Sequence, residues 1–222
     1  NLRDRLQECF EHRSERLIVG FPSIVLIMIV HLMLGFRRLR DIERYGDDPV
    51  VLRALGLRRM PDVSTVCRGL CRMDRASVEN VRFVSRDCVV SRLEAERLSR
   101  VTLDFDGSVI STGRFAEGTA VGYNNKRKGE RSYYPLLCTI PQTAQVLDVF
   151  HRAGNVHDSH NAIDFMRGCI EAVRSGLPWA ILESRKDAAF FSDRMVDFLD
   201  SQGVQFSISV PFERFAQLKL MI

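Results

Sequence analysis

Asp106 and Asp187 are the two residues whose type and placement could do chemistry in this sequence. Asp106 ends the run Val101-Thr102-Leu103-Asp104-Phe105-Asp106, which alternates as a strand does. Leu103 and Phe105 fall on one face, Asp104 and Asp106 on the other. Asp187 lies just past a second strand-like run, Trp179 to Glu183, in the turn before a helix-like segment. Ligands of open α/β sheets gather at the carboxyl ends of the strands. Two carboxylates held close there repel each other unless a proton or a cation sits between them. Mg2+ (or Mn2+) suits such a pair, being hard, oxygen-seeking and content with one or two carboxylates plus waters and a substrate phosphate. Such ions activate a water or a 3′-hydroxyl and stabilise the leaving oxygen of an in-line phosphoryl transfer, with no covalent protein nucleophile. Spacing alone leaves a second reading open, in which these acids are solvated or cap turns.

The elements that must position the pair follow from periodicity. After Val101–Asp106, strands are expected at Pro135–Ile140 and Gln145–His151, joined by a hairpin-like Pro141-Gln142-Thr143. A helix is expected at Asp158–Ser175, with Asp158 or Ser159 capping its start. A strand (Trp179–Glu183), a helix (Ser192–Gln202) and a strand (Val204–Val210) complete the series. Three consecutive strands followed by alternating helices and strands is the order of an RNase H-like mixed α/β sheet with flanking helices. Upstream the spacing predicts only helices: Leu2–Arg16, Ile24–Arg44, Val50–Leu55, Ser64–Met73 and Ala76–Leu98. The expected organisation is therefore an all-helical region, 1–99, followed by an α/β domain, 100–222.

The chain has 222 residues, 45% of them hydrophobic, and a net charge of +4. Residues 1–100 carry 19 Arg, no Lys and 14 acids. That front half suits phosphate contact, since Arg grips phosphate through a planar fork; a codon bias toward Arg gives the same composition. Val50–Leu55 and Ser64–Met73 are spaced like a helix-turn-helix, which places Arg68 and Arg72 on one face of the second helix. The Cys at 9, 67, 71, 88, 138 and 169 form no Cys-x-x-Cys pair, so reduced thiols are expected. Leu17 to Phe36 is long enough for a membrane span, but Gly20, Pro22, Ser23 and His31 interrupt it, and a buried helix is the better reading.

More specific blocks surround the acids. They are Glu117-Gly118-Thr119-Ala120-Val121-Gly122-Tyr123-Asn124, Lys128-Gly129-Glu130-Arg131-Ser132-Tyr133-Tyr134-Pro135-Leu136, Arg152-Ala153-Gly154-Asn155-Val156-His157-Asp158, and Glu183-Ser184-Arg185-Lys186-Asp187-Ala188-Ala189-Phe190-Phe191. Together with Leu103–Asp106 they resemble the DDE transposases of bacterial insertion sequences, most of all the IS-thirteen-eighty group. The resemblance covers most of the chain, including Gly35-Phe36-Arg37-Arg38-Leu39 and Pro61-Asp62-Val63-Ser64-Thr65.

The resemblance implies metal-dependent strand cleavage and strand transfer at the ends of a mobile element. Asp106, in Asp106-Gly107-Ser108, matches the first catalytic acid, with Asp104 as the alternative metal ligand. Asp187, in Arg185-Lys186-Asp187-Ala188-Ala189-Phe190, matches the second. The third, a Glu on a helix beyond the fifth strand, is expected after Ile222, because Glu213 comes too early. Lys126, Arg127, Lys128 and Arg131, between the first and second strands, become candidates for the DNA backbone. Tyr123, Tyr133 and Tyr134 could stack on bases, although core packing of at least two is the stronger expectation. Arg185 could contact phosphate or pair with a neighbouring acid. The implied partners are transposon-end and target DNA and a second copy of the chain, in a bacterial cytoplasm at the nucleoid. Two rival functions remain: an RNase H-like nuclease that does not join, and a catalytically dead DNA-binding remnant.

Overall fold

The structure, a computed structural model, describes residues 1–14, 17–122, 124 and 127–211. They form two compact units, 1–84 and 85–211 of those described. The dividing line falls inside a long helix, whose second half buries Val89 and Leu93 in the α/β core.

The first unit is helical. α1 (Leu2–Glu8) opens with a reciprocal capping box between Asn1 and Asp4. α2 (Phe21–Met33) has Pro22 in its first turn, where a missing N–H costs nothing. It ends before Gly35, whose φ of +83° turns the chain out of the helix, so the expected helix through Arg44 is broken here. A 3-10 turn (Leu39–Arg44), α3 (Pro49–Leu55) and α4 (Val63–Cys71) follow. Asp48 caps α3 by accepting from Val50 and Val51, and Gly56 (φ +62°) closes it. Ile24, Ile27, Ile42, Tyr45, Leu55, Met60 and Val66 form the core, with Cys9, Phe10 and Phe21 in a second cluster. The buried His31 bonds Tyr45 Oη at 2.8 Å. α4 meets α2 closely at Gly69, where a Cβ would stand 2.1 Å from Ile24 Cδ1. Among the described residues no helix is long and apolar enough to cross a membrane. All six cysteines are free thiols.

α5 (Arg75–Ala95) leads into the second unit. The main sheet contains β1 (Arg100–Gly107), β5 (Leu136–Ile140), β6 (Gln145–Phe150), β7 (Ile181–Lys186) and β8 (Gln205–Ile208), in the order β6-β5-β1-β7-β8. β5 runs antiparallel to β1 and β6 antiparallel to β5, whereas β7 and β8 are parallel to β1. Three meandering strands with two parallel strands added beyond the first make an RNase H-like mixed sheet. α6 (Ala162–Gly176) packs on β5 and β6, and α7 (Asp193–Ser201) on β8. Val101, Leu103, Phe105, Leu136, Cys138, Ile140, Met166, Ile170 and Leu182 are buried together with Val89 and Leu93 of α5.

A second sheet was not expected. β2 (Ile110–Ser111), β3 (Ala120–Val121) and β4 (Arg131–Tyr133) form a three-stranded sheet, order β2-β4-β3, between β1 and β5. Strands of two or three residues are too short to show alternation.

Candidate active site

Parallel pairing of β1 with β7 stacks side chains in rungs across the outer face of the sheet. Thr102 is level with Glu183, and Asp104 with Arg185. The same register, continued by two residues, brings Asp106 level with Asp187. The first rung is a hydrogen bond, Thr102 Oγ1 donating to Glu183 Oε2 at 3.0 Å. The second is a bidentate ion pair, Arg185 Nε and Nη2 each 2.6 Å from an oxygen of Asp104. The third sets two negative charges side by side.

The chemistry of that rung is visible in Asp106. Its carboxyl is pushed above the usual carboxylate range, first by burial, then by the charge of Asp187, with Asp158 adding to the effect; a hydrogen bond from the Gly107 backbone opposes it. Asp187 also caps the 3-10 turn Ala188–Phe190, its Oδ1 accepting from Ala189 N at 3.0 Å. The capping reading and the chemical reading thus fall on one residue, since one oxygen serves the turn. Two carboxylates set this close are a donor set suited to a hard divalent cation. Among the described residues no three His, Cys, Asp or Glu side chains converge as a metal cage. Asp104, the alternative ligand, has both oxygens committed to Arg185. Arg185, a candidate for phosphate, is engaged by the same pair.

The remaining candidates separate by what they touch. Arg131 donates Nε to Thr119 Oγ1 at 2.8 Å and Nη2 to the Thr119 carbonyl, clamping β4 to the turn before β3. Its head is thus occupied within the protein. Arg127 and Lys128 are exposed, Arg127 beside Glu130 at 3.4 Å. Lys126 and Tyr123 lie outside the described residues. Arg68 and Arg72 are exposed on α4 and at its end, with Arg68 Nη2 3.3 Å from Thr65 Oγ1. α3 and α4 each pack on α2, so the helix-turn-helix spacing reflects two helices sharing a support. Tyr133 donates its hydroxyl to the Glu117 carbonyl and lies with its ring centroid 4.4 Å from that of His151.

Sequence reasoning misjudged Asp158. α6 begins only at Ala162, after Asn161 in a left-handed conformation (φ +51°), so neither Asp158 nor Ser159 caps it. Asp158 instead accepts from Tyr134 Oη at 2.7 Å. It also lies against Gly107, where a Cβ would come 2.6 Å from Asp158 Oδ1 and 2.5 Å from Tyr134 Oη. That contact spans distant parts of the chain, and no local pattern announces it.

No curated protein matches the chain. Among solved structures, the Mos1 transposase paired-end complex with left transposon end is similar at 9% identity and a TM-score of 0.37, over 92% of this chain and 76% of that one. The Drosophila P element transposase strand transfer complex is similar at 13% identity and a TM-score of 0.39, over 90% of this chain and 40% of that one. The piggyBac transposase synaptic complex with hairpin DNA is similar at 12% identity and a TM-score of 0.38, over 92% and 45%. This chain therefore spans less than half the length of the latter two. The family model of the transposase DDE domain, group 1, matches residues 1–219, and the chain belongs to that family.

Proposed function

We propose that this protein is the transposase of a bacterial insertion sequence, of the IS-thirteen-eighty group, and that it cleaves and joins DNA at the element's ends. The observation that carries the reading is the third rung: Asp106 near the end of β1 and Asp187 just past the end of the neighbouring parallel strand β7, with the charge of Asp187 helping to raise the Asp106 carboxyl. Asp106 and the uncommitted side of Asp187 would hold Mg2+ or Mn2+. The bound ion supplies activation of a water or 3′-hydroxyl and neutralisation of charge on the phosphate. Asp187 is oriented for this by its bond to Ala189 N. Arg185 keeps Asp104 from competing for the cation.

The partners in this reading are transposon-end DNA and target DNA, bound by a homodimer in the bacterial cytoplasm at the nucleoid. Residues 1–99 serve DNA binding and dimerisation, and 100–222 the chemistry. Arg127, Lys128 and Lys126, the last outside the described residues, are the backbone contacts near the acids, and Arg68 and Arg72 those of the helical region.

A strand-transfer assay tests the reading, with the intact protein, Mg2+ and DNA bearing the element's ends. Joined product is expected, and Asp106→Asn or Asp187→Asn should abolish it while Asp104→Asn spares it. Cleavage without joining would instead mark a nuclease, and binding without cleavage a DNA-binding remnant.

A further inference from the structure

Asp158, freed from a capping role, is held in place by an arrangement that no helix start requires. Arg152 organises it. This residue's side chain is only 2% exposed. Its Nε donates to the Tyr134 carbonyl at 3.0 Å, and its Nη1 to the carbonyls of His157 (3.3 Å), Asp158 (3.0 Å) and His160 (3.2 Å). One guanidinium thereby fixes the backbone on both sides of Asp158. Its Nη2 is buried without a hydrogen-bond partner among the described residues, and the nearest acid oxygen, Asp158 Oδ1, stands 3.9 Å away.

That distance is too long for a hydrogen bond and lies at the outer limit of an ion pair. A buried donor left unpaired costs about 1–3 kcal/mol, which a slightly closer carboxylate would relieve. The carboxylate is instead drawn to Tyr134 Oη and pressed against Gly107, the residue after Asp106. Arg152 therefore offsets the charge of Asp158 without capturing it. Asp158 Oδ2 has no hydrogen-bond partner among the described residues, and Oδ1 lies against Gly107, which places the carboxylate beside Asp106. A third carboxylate kept beside a like-charged pair is unfavourable unless a cation joins them.

A direct ligand is not what the geometry offers, since the three acids do not converge as a cage. We propose that Asp158 is a positioning residue for the divalent ion of Asp106 and Asp187, accepting hydrogen bonds from the ion's retained waters through Oδ2 while Tyr134 and Arg152 hold it in place. Mg2+ keeps several waters when bound by one or two carboxylates, so such an acceptor has something to orient. The inference rests on the divalent-ion reading given above.

Mn2+ titration of the purified protein, followed by the paramagnetic resonance of free Mn2+, tests it alongside thermal unfolding. Asp158→Asn is expected to weaken Mn2+ binding by about 10–100-fold, the usual effect of losing an outer-shell partner, with an unchanged unfolding temperature. Tyr134→Phe keeps every charge and removes only the bond that aims Asp158, so a weaker affinity there separates positioning from simple charge attraction. Wild-type affinity in folded Asp158→Asn overturns the inference. Should that variant fail to fold, wild-type affinity in Tyr134→Phe overturns it. Asp106→Asn distinguishes the two readings: loss of binding there with wild-type binding in Asp158→Asn removes only the role of Asp158. Wild-type binding in Asp106→Asn removes the ion site itself, and both readings with it.

Discussion

Arg185 grips Asp104 with two hydrogen bonds of 2.6 Å, one rung from the unneutralised pair of Asp106 and Asp187. The Arg185–Asp104 pair is half open to solvent, so solvent screens it and it adds little to stability. Arg185→Leu is expected to unfold at nearly the wild-type denaturant midpoint. Its effect should appear in cation binding, because the freed Asp104 adds a competing carboxylate to the face. Calorimetric Mg2+ titration should give tighter or multiple binding in Arg185→Leu, and unchanged binding in Asp104→Asn. Loss of binding in Asp104→Asn would move the site one rung down.

Lys186 makes a second prediction, on the opposite face of β7. Its ammonium is buried, donates to Ser184 Oγ at 2.6 Å, and lies 5.5 Å from the centre of the Phe105 ring. Burial pulls it down to about 8, with a small opposing effect from Cys138. The unfolded chain then holds more protons than the folded one above that value. Stability should rise as pH increases from about 8 to about 10.4, by at most about 3 kcal/mol. Lys186→Met should flatten that rise and stabilise the protein at neutral pH. Urea midpoints across the interval decide it, and an equal slope in both proteins would refute it.

Gly107 separates β1 from the Tyr134–Asp158 contact by the width of a hydrogen atom. Gly107→Ala would place a Cβ 2.5 Å from Tyr134 Oη and 2.6 Å from Asp158 Oδ1. Overpacking of that kind costs about 1–3 kcal/mol. Chemical denaturation should show the loss, and Tyr134→Phe in the same background should recover part of it by removing one colliding atom.

The basic residues between β1 and β5 should divide into two classes. Arg131→Ala removes the clamp on Thr119 and should cost about 1–3 kcal/mol of stability, as charge-assisted bonds do. Arg127→Ala and Lys128→Ala should stay within about 0.5 kcal/mol of wild type. On DNA the order reverses: each of the latter two should lower the magnitude of the salt slope of binding by about 1. Equal slopes would exclude Arg127 and Lys128 from the backbone contact.

How far these relationships could be read in advance varies with their range. The alternation in Val101–Asp106 foretold which side chains of β1 face the core and which the solvent, and the strand and helix order foretold the main sheet. Both depend on local periodicity. The break at Gly35 depends on one positive φ inside an apolar run, and hydrophobic spacing does not register it. The small sheet has strands below the length at which alternation is visible. Asp104 and Asp106 could not be told apart from sequence, since they share a face; the difference is the guanidinium that β7 brings opposite one of them. Asp158 was misread because Asn161, by adopting a left-handed backbone, delays the start of α6 by a turn.

The rungs also set a tolerance for length. Side chains along β7 alternate between faces, so a one-residue deletion upstream of Asp187 would swing Asp187 toward the core and bring Ala188 to the place opposite Asp106. A one-residue insertion would seat Lys186 there instead. The first change would leave a lone acid; the second would close an internal salt bridge where a cation is meant to enter. Either edit leaves a plausible strand with a silent face, so reading-frame-preserving insertions and deletions are a sharper probe of this site than most point substitutions.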